Sequence, residues 1–157
     1  TNKIALEALK CKKILELSEY HYFKPEVKVG ASRIDILAFN GPDNNPKNAS
    51  KRCYIEVKNV TLIDDKNTAL FPDAVSTRGQ KHLKELISIK EAGHESAMLF
   101  VINREDPTSF SPAREIDPEY ADLLIKAENA GVKILAYKCS LNESEVNIDH
   151  SVPYKLI

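Results

Sequence analysis

An aspartate at position 35, followed by a glutamate and a lysine two residues apart, provides the side chains of a phosphoryl-transfer site. Glu56 and Lys58 lie in Cys53-Tyr54-Ile55-Glu56-Val57-Lys58, which reads as a strand. Side chains alternate between the two faces of a strand, so Glu56 and Lys58 share one face and Ile55 and Val57 take the other. Asp35 sits in a second strand pattern, Arg33-Ile34-Asp35-Ile36-Leu37-Ala38, and points away from its isoleucine neighbours. Two carboxylates and an amine projecting from adjacent strands would make a divalent-metal phosphodiesterase site. Such chemistry needs a water nucleophile, compensation of phosphoryl charge and a stabilised leaving oxygen. Mg²⁺ or Mn²⁺ held by carboxylates serves all three. On this reading Asp35 and Glu56 are metal ligands. Lys58 orients or activates the water and opposes phosphate charge. Its protonation state stays open, because neighbouring acids favour the ammonium and burial disfavours it. Glu7, beside the apolar stripe of the first helix, is a further candidate ligand or water-positioning group. The Ile55 or the Val57 carbonyl is also a candidate to reach the metal.

The elements that must position these groups are legible in the periodicity. Ile4, Ala8, Cys11 and Leu15 predict a helix over 3–17. Strands are expected over 26–29, 34–39 and 53–57, with 40–51, rich in Asn, Pro and Gly, as a mobile hairpin loop. Thr77 and Gln80 match a capping box at the start of a second helix. Leu83, Leu86 and Ile87 form its buried face and Gly93 ends it. An apolar strand over 95–102 follows. Asp117-Pro118 opens a third helix with Tyr120, Leu123, Leu124 and Ala127 inward, and Gly131 closes it. A last strand runs over 132–137. Strand, helix, strand with both strands apolar implies a right-handed parallel crossover. The order fits an α/β, restriction-endonuclease-like PD-(D/E)xK core, a mixed β-sheet flanked by helices. Asp35 meets Glu56 and Lys58 there if the second and third strands pair, as their short connection favours.

Arg78, Gln80 and Lys81 share the first turn of the second helix, where free amides attract phosphate. With Arg33 they are the candidate DNA contacts, although Gln80 equally serves as a cap. Lys84, one turn further on, reads as a solvated lysine. Phe71, in the 68–74 stretch that could wall the cleft, is read as an aromatic plug rather than a base-stacking residue. His21, His82, His94 and His150 form no ligand motif, and His82 reads as structural or surface. Neither a glycine-rich phosphate loop nor a hydrolase triad is present in the pattern.

The 157 residues suit one domain, spanning 1–157, with 43% apolar and 29% charged residues. No run approaches the roughly 18 apolar residues of a membrane span, and no signal peptide opens the chain, so a cytoplasmic location is expected. The net charge of −1 argues against a protein held to DNA by charge alone. Cys11, Cys53 and Cys139 read as three core thiols in a reducing compartment. Thr1 is an unusual first residue, and the helical pattern begins almost at once, so residues upstream are expected to be missing.

Several longer motifs carry a resemblance. Ser32-Arg33-Ile34-Asp35, the stretch from Cys53 to Leu62, Ala69-Leu70-Phe71-Pro72-Asp73-Ala74, Thr77-Arg78-Gly79-Gln80-Lys81-His82-Leu83 and Glu115-Ile116-Asp117-Pro118-Glu119-Tyr120 resemble the sugar fermentation stimulation protein A family. Thr1 to Leu9 resembles the opening of that family's C-terminal nuclease-like domain. The resemblance implies a nuclease-like α/β domain, normally preceded by a small oligonucleotide-binding-like β-barrel, which is expected to be missing from this sequence. It implies nonspecific DNA binding, associated with regulation of sugar, especially maltose, metabolism. Because Asp35, Glu56 and Lys58 fit the restriction-endonuclease-like pattern, the alternative is a Mg²⁺- or Mn²⁺-dependent DNA nuclease. A homodimer would let paired sites address both DNA strands, but no stripe reads as an interface.

Overall fold

Strand patterns in the middle of the chain assemble into a six-stranded mixed sheet with helices on both faces. The computed structural model describes residues 1–141 and 146–157. Its elements are α1 (Asn2–Lys10), β1 (Tyr22–Val29), β2 (Ser32–Asn40), β3 (Lys51–Val60), β4 (Leu62–Ile63), β5 (Thr68–Phe71), α2 (Thr77–Glu91), β6 (Glu95–Ile102), β7 (Ser109–Pro112), α3 (Pro118–Ala130), β8 (Lys133–Leu141) and β9 (Val146–Ser151). The main sheet runs β1-β2-β3-β6-β8-β9, and β4-β5-β7 make a small second sheet. β1, β2 and β3 form an antiparallel meander, and β3, β6 and β8 are parallel.

Both parallel steps move in one direction across the sheet, so the right-handed crossover rule places α2 and α3 on the same face. Leu83 and Leu86 of α2 and Tyr120 and Leu124 of α3 accordingly share one core with Met98, Phe100 and Ile102 of β6. The opposite face buries Ala5, Ala8 and Leu9 of α1 against Ile36, Ile55, Val57, Leu99 and Leu135. β6, covered on both sides, is buried from Ser96 to Ile102. That is the pattern of a central parallel strand. α3 is capped as expected, with Asp117 at its start, Pro118 in its first turn and Gly131 closing it at a φ of 100° that favours glycine. Phe71 packs against Phe100 and Tyr120, with ring centroids 5.7 and 5.4 Å away, and is the expected plug.

Three local readings are corrected. The first helix ends at Lys10, not 17, because Lys12 turns into the left-handed region and a short 3-10 turn takes up Leu15–Leu17. The turn breaks the helical phase, so Leu15 is 73% exposed and Cys11 lies on the surface, while Cys53 and Cys139 are buried. α2 is capped by Ser76, whose hydroxyl accepts the Gly79 N–H at 2.9 Å, not by Thr77. β6 matches the expected 95–102, β1, β2, β3 and β8 run beyond their expected bounds, and β9 and the small sheet were not anticipated. Among the described residues, no helix is long and apolar enough to cross a membrane.

Candidate functional site

The site forms where two paired strands part. β2 and β3 pair from Asn40 opposite Lys51 to Ile36 opposite Ile55, and the ladder stops there. On the other edge of β2, Glu26 lies between the pairs Pro25–Ile36 and Val27–Ile34, opposite Asp35, with a φ of 52°. Ile34 and Ile36 would share a face in a regular strand. Instead Ile34 packs in the α2/α3 core and Ile36 in the α1 core, so β2 turns about its axis at Asp35. The Asp35 carboxylate occupies the fork. Its Oδ2 accepts the Val57 N–H at 2.8 Å and its Oδ1 accepts the Asn2 side-chain amide at 3.1 Å.

Alternation along β3 does the rest. Ile55 and Val57 enter the α1 core, which leaves Glu56 and Lys58 on the α2 side. Glu56 is only 2% exposed, and its Oε1 is buried without a hydrogen-bond partner. His82 Nδ1 stands 3.4 Å from Glu56 Oε2 and 2.8 Å from Lys58 Nζ. Asn2, Asp35, Glu56, Lys58, Ser76, Arg78, Gly79 and His82 line one cleft of about 220 Å³. A Cβ on Gly79 would come within 2.6 Å of the Ser76 hydroxyl, so glycine is what lets the cap and the cleft wall coexist.

Burial raises the Glu56 pKa to about 8, and the charge of Asp35 adds to the rise while Lys58 opposes it. Burial lowers the pKa of Lys58 against the pull of Glu56 and Asp35, and lowers that of His82, with Lys58 adding to the effect. These directions favour the uncharged forms of Glu56 and His82, and the His82 tautomer decides which of Lys58 Nζ and His82 Nδ1 donates. The donor set fits a divalent cation. It offers the Asp35 carboxylate, the Glu56 carboxyl group, which releases its proton on binding a cation, and a mouth open to solvent. Among the described residues no three or more His, Cys, Asp or Glu side chains converge to hold a metal.

The remaining candidates are distributed around this cleft. Arg78 is exposed on its wall. Lys81 lies on the next groove, 3.8 Å from Glu85. Arg33 is exposed, 4.0 Å from Glu26. Glu7 lies apart, lining a different hollow with Cys11, Lys13 and Ile148, and it is Asn2 of α1 that reaches Asp35. Gln80 is turned inward, and its amide donates to both Asp117 oxygens at 3.0 and 3.2 Å instead of closing a capping box. His82, read from the sequence as structural or surface, instead bridges Glu56 and Lys58. Its signal was its place four residues after Arg78, one helical turn along the same face. Asn2 carried no signal, because only the folded chain brings the start of α1 to the fork.

Residues 1–145 match the family model described as the Sugar fermentation stimulation protein RE domain. A Sugar fermentation stimulation protein homolog from Shewanella woodyi is 46% identical over 158 aligned residues, covering 99% of this chain and 64% of that protein. The homolog from Geotalea daltonii is 43% identical, covering 97% of this chain and 62% of that protein. The solved structure of Pyrococcus furiosus SfsA in complex with Ca²⁺ aligns with a TM-score of 0.82 at 29% identity, covering 98% of this chain and 64% of that one. The chain thus spans a little under two thirds of the length of these relatives.

Proposed function

This chain belongs to the sugar fermentation stimulation protein family, and from that premise we propose that its cleft binds the phosphodiester backbone of DNA with a divalent cation, Mg²⁺ or Mn²⁺. The observation that carries the reading is a pair of acids on the wall of one cleft, Glu56 with a buried oxygen that no protein donor reaches and Asp35 beside it. A buried acceptor left unpaired is costly, and a cation repays that cost. Asp35 and Glu56 would hold the ion, which supplies charge neutralisation at the phosphate and a more acidic water. The Ca²⁺ bound by the Pyrococcus furiosus relative supports a divalent preference. Arg78 contacts the backbone from the cleft wall, and backbone contacts position a strand without reading its sequence. DNA binding of this nonspecific kind fits the family's association with regulation of sugar, especially maltose, metabolism.

A second reading, hydrolysis of the bound phosphodiester on a restriction-endonuclease-like core, is favoured by Lys58. Its amine lies 2.8 Å from His82, and burial lowers its pKa, which makes it a group able to orient or deprotonate a water. Labelled duplex and single-stranded DNA, incubated with Mg²⁺ or Mn²⁺, test both readings. Metal-dependent product that disappears in Lys58→Ala establishes cleavage. Salt-sensitive association without product leaves binding alone, and no association at low salt sinks both.

A further inference from the structure

The seam between β3 and α2 continues past the cleft into a second groove. We infer that this groove is a subsite for one unpaired nucleotide adjoining the phosphodiester held at Glu56, which makes single-stranded or frayed nucleic acid the substrate class. The inference rests on the phosphodiester reading above. Tyr54 precedes Glu56 by two residues on the same face of β3. Lys81, Lys84 and Glu85 follow Arg78 along α2. Together with Ile89 and His94 they line a volume of about 440 Å³, within the range of small-ligand sites. The floor is apolar and aromatic, with the Tyr54 ring meeting His94 edge-on at 5.8 Å between centroids. The rim is basic, since Lys81 and Lys84 are both exposed. Glu85 also faces the groove. Its Oε1 accepts the Ser32 hydroxyl, and its Oε2 is buried without a partner.

The groove therefore suits an occupant that offers a flat π face to Tyr54, apolar surface to Ile89 and negative charge to the lysines. A nucleobase with its phosphate has all three. In a duplex the base faces are stacked and the pairing edges are taken, so only an unpaired base can offer them. An acyl chain would fill the apolar floor but offer no counter-charge to the exposed Lys81 and Lys84. Continuity along one strand and one helix is what joins the two sites: a phosphate at Glu56 and its neighbouring base over Tyr54.

The test compares affinity for a short labelled single strand and for a blunt hairpin duplex of the same sequence, in Ca²⁺. Tyr54→Ala should weaken single-strand binding about tenfold, the size expected for one lost base–aromatic stack. Lys84→Ala, an exposed helical substitution that spares the fold, should lower the salt slope for the single strand by about one. Both variants should leave duplex affinity within about twofold of wild type. Unchanged single-strand binding in folded Lys84→Ala, or equal losses on both probes, overturns the subsite and leaves the phosphodiester reading standing. Failure of the wild-type chain to bind either probe overturns both.

Discussion

Asp117 and Glu56 are equally buried, 1% and 2% exposed, and both lie against the first turns of α2, yet only one has its hydrogen bonds complete. Asp117 accepts the Ser76 N–H at 2.9 Å, the Tyr120 N–H at 3.0 Å and the Gln80 amide. It thereby ties together the starts of two helices. Glu56 has an empty acceptor, the carboxylate of Asp35 nearby and an open cleft in front. A satisfied buried acid organises structure, because removing it orphans its donors. An unsatisfied one destabilises the fold unless something binds it. The two acids should therefore respond oppositely to neutralisation and to pH.

The largest effect is expected at Asp117. Asp117→Ala removes the α3 cap and leaves the half-buried Ser76 N–H and the buried Gln80 amide without an acceptor, a loss of about 4 kcal/mol. Urea unfolding at neutral pH measures it. A loss below about 1 kcal/mol would mean that this junction does not hold the helices, and the contrast with Glu56 would fail.

The next effect reverses the sign. Burial works against ionisation of Asp117, but the hydrogen bonds from Ser76, Tyr120 and Gln80 prevail and hold its carboxyl below the usual range. Its stabilisation is present above the unfolded pKa and is lost as pH falls through the folded one. Glu56 is raised from 4.5 to about 8, so the folded state keeps a proton that the unfolded chain releases. Its contribution is whole below about pH 4.5 and declines as pH rises towards about 8. Glu56→Gln, neutral at every pH, should match wild type near pH 4.5 and exceed it by on the order of 3 kcal/mol at pH 8. Denaturation across that window reads the difference, and a difference independent of pH would sink the assignment. Ca²⁺ should raise the melting temperature of wild type and not of Glu56→Gln.

How much of this contrast was legible in the sequence depends on which residues had to meet. Glu56 and Lys58 could be placed on one face from the sequence because strand alternation is a two-residue rule and β3 obeys it. Asp35 reaches the same cleft through a turn of β2 that breaks the rule. Asp117 was read correctly as a cap, since Asp-Pro at a helix start is a local signal. That Asp117 also receives Gln80 was not legible. The contact spans 37 residues and competes with a local capping box of equal appeal. The end of α1 was missed for a related reason. The apolar spacing continues through Leu15, but the chain turns at Lys12 so that Ile14 and Leu17 reach the sheet. Burial of Ile14 and Leu17 outweighed helical continuation, and periodicity alone does not weigh those alternatives.

The smallest effect extends the contrast to cations. Arg33 and Arg78 both read from the sequence as DNA contacts, and both are exposed, so composition does not separate them. Arg33 has the Glu26 carboxylate 4.0 Å away on the neighbouring strand, outside the cleft. Arg78 stands on the cleft wall, where a backbone phosphate would complete it. Arg78→Ala should therefore weaken duplex binding a few-fold and reduce the salt slope by about one, with stability unchanged within about 0.5 kcal/mol. Arg33→Ala should change the slope little, because its guanidinium already faces a carboxylate. Titrations of one labelled duplex at several salt concentrations compare the two. Equal slopes for both variants would place the backbone along the β1–β2 edge as well as the cleft, and the division into completed and incomplete groups would not extend to the basic residues.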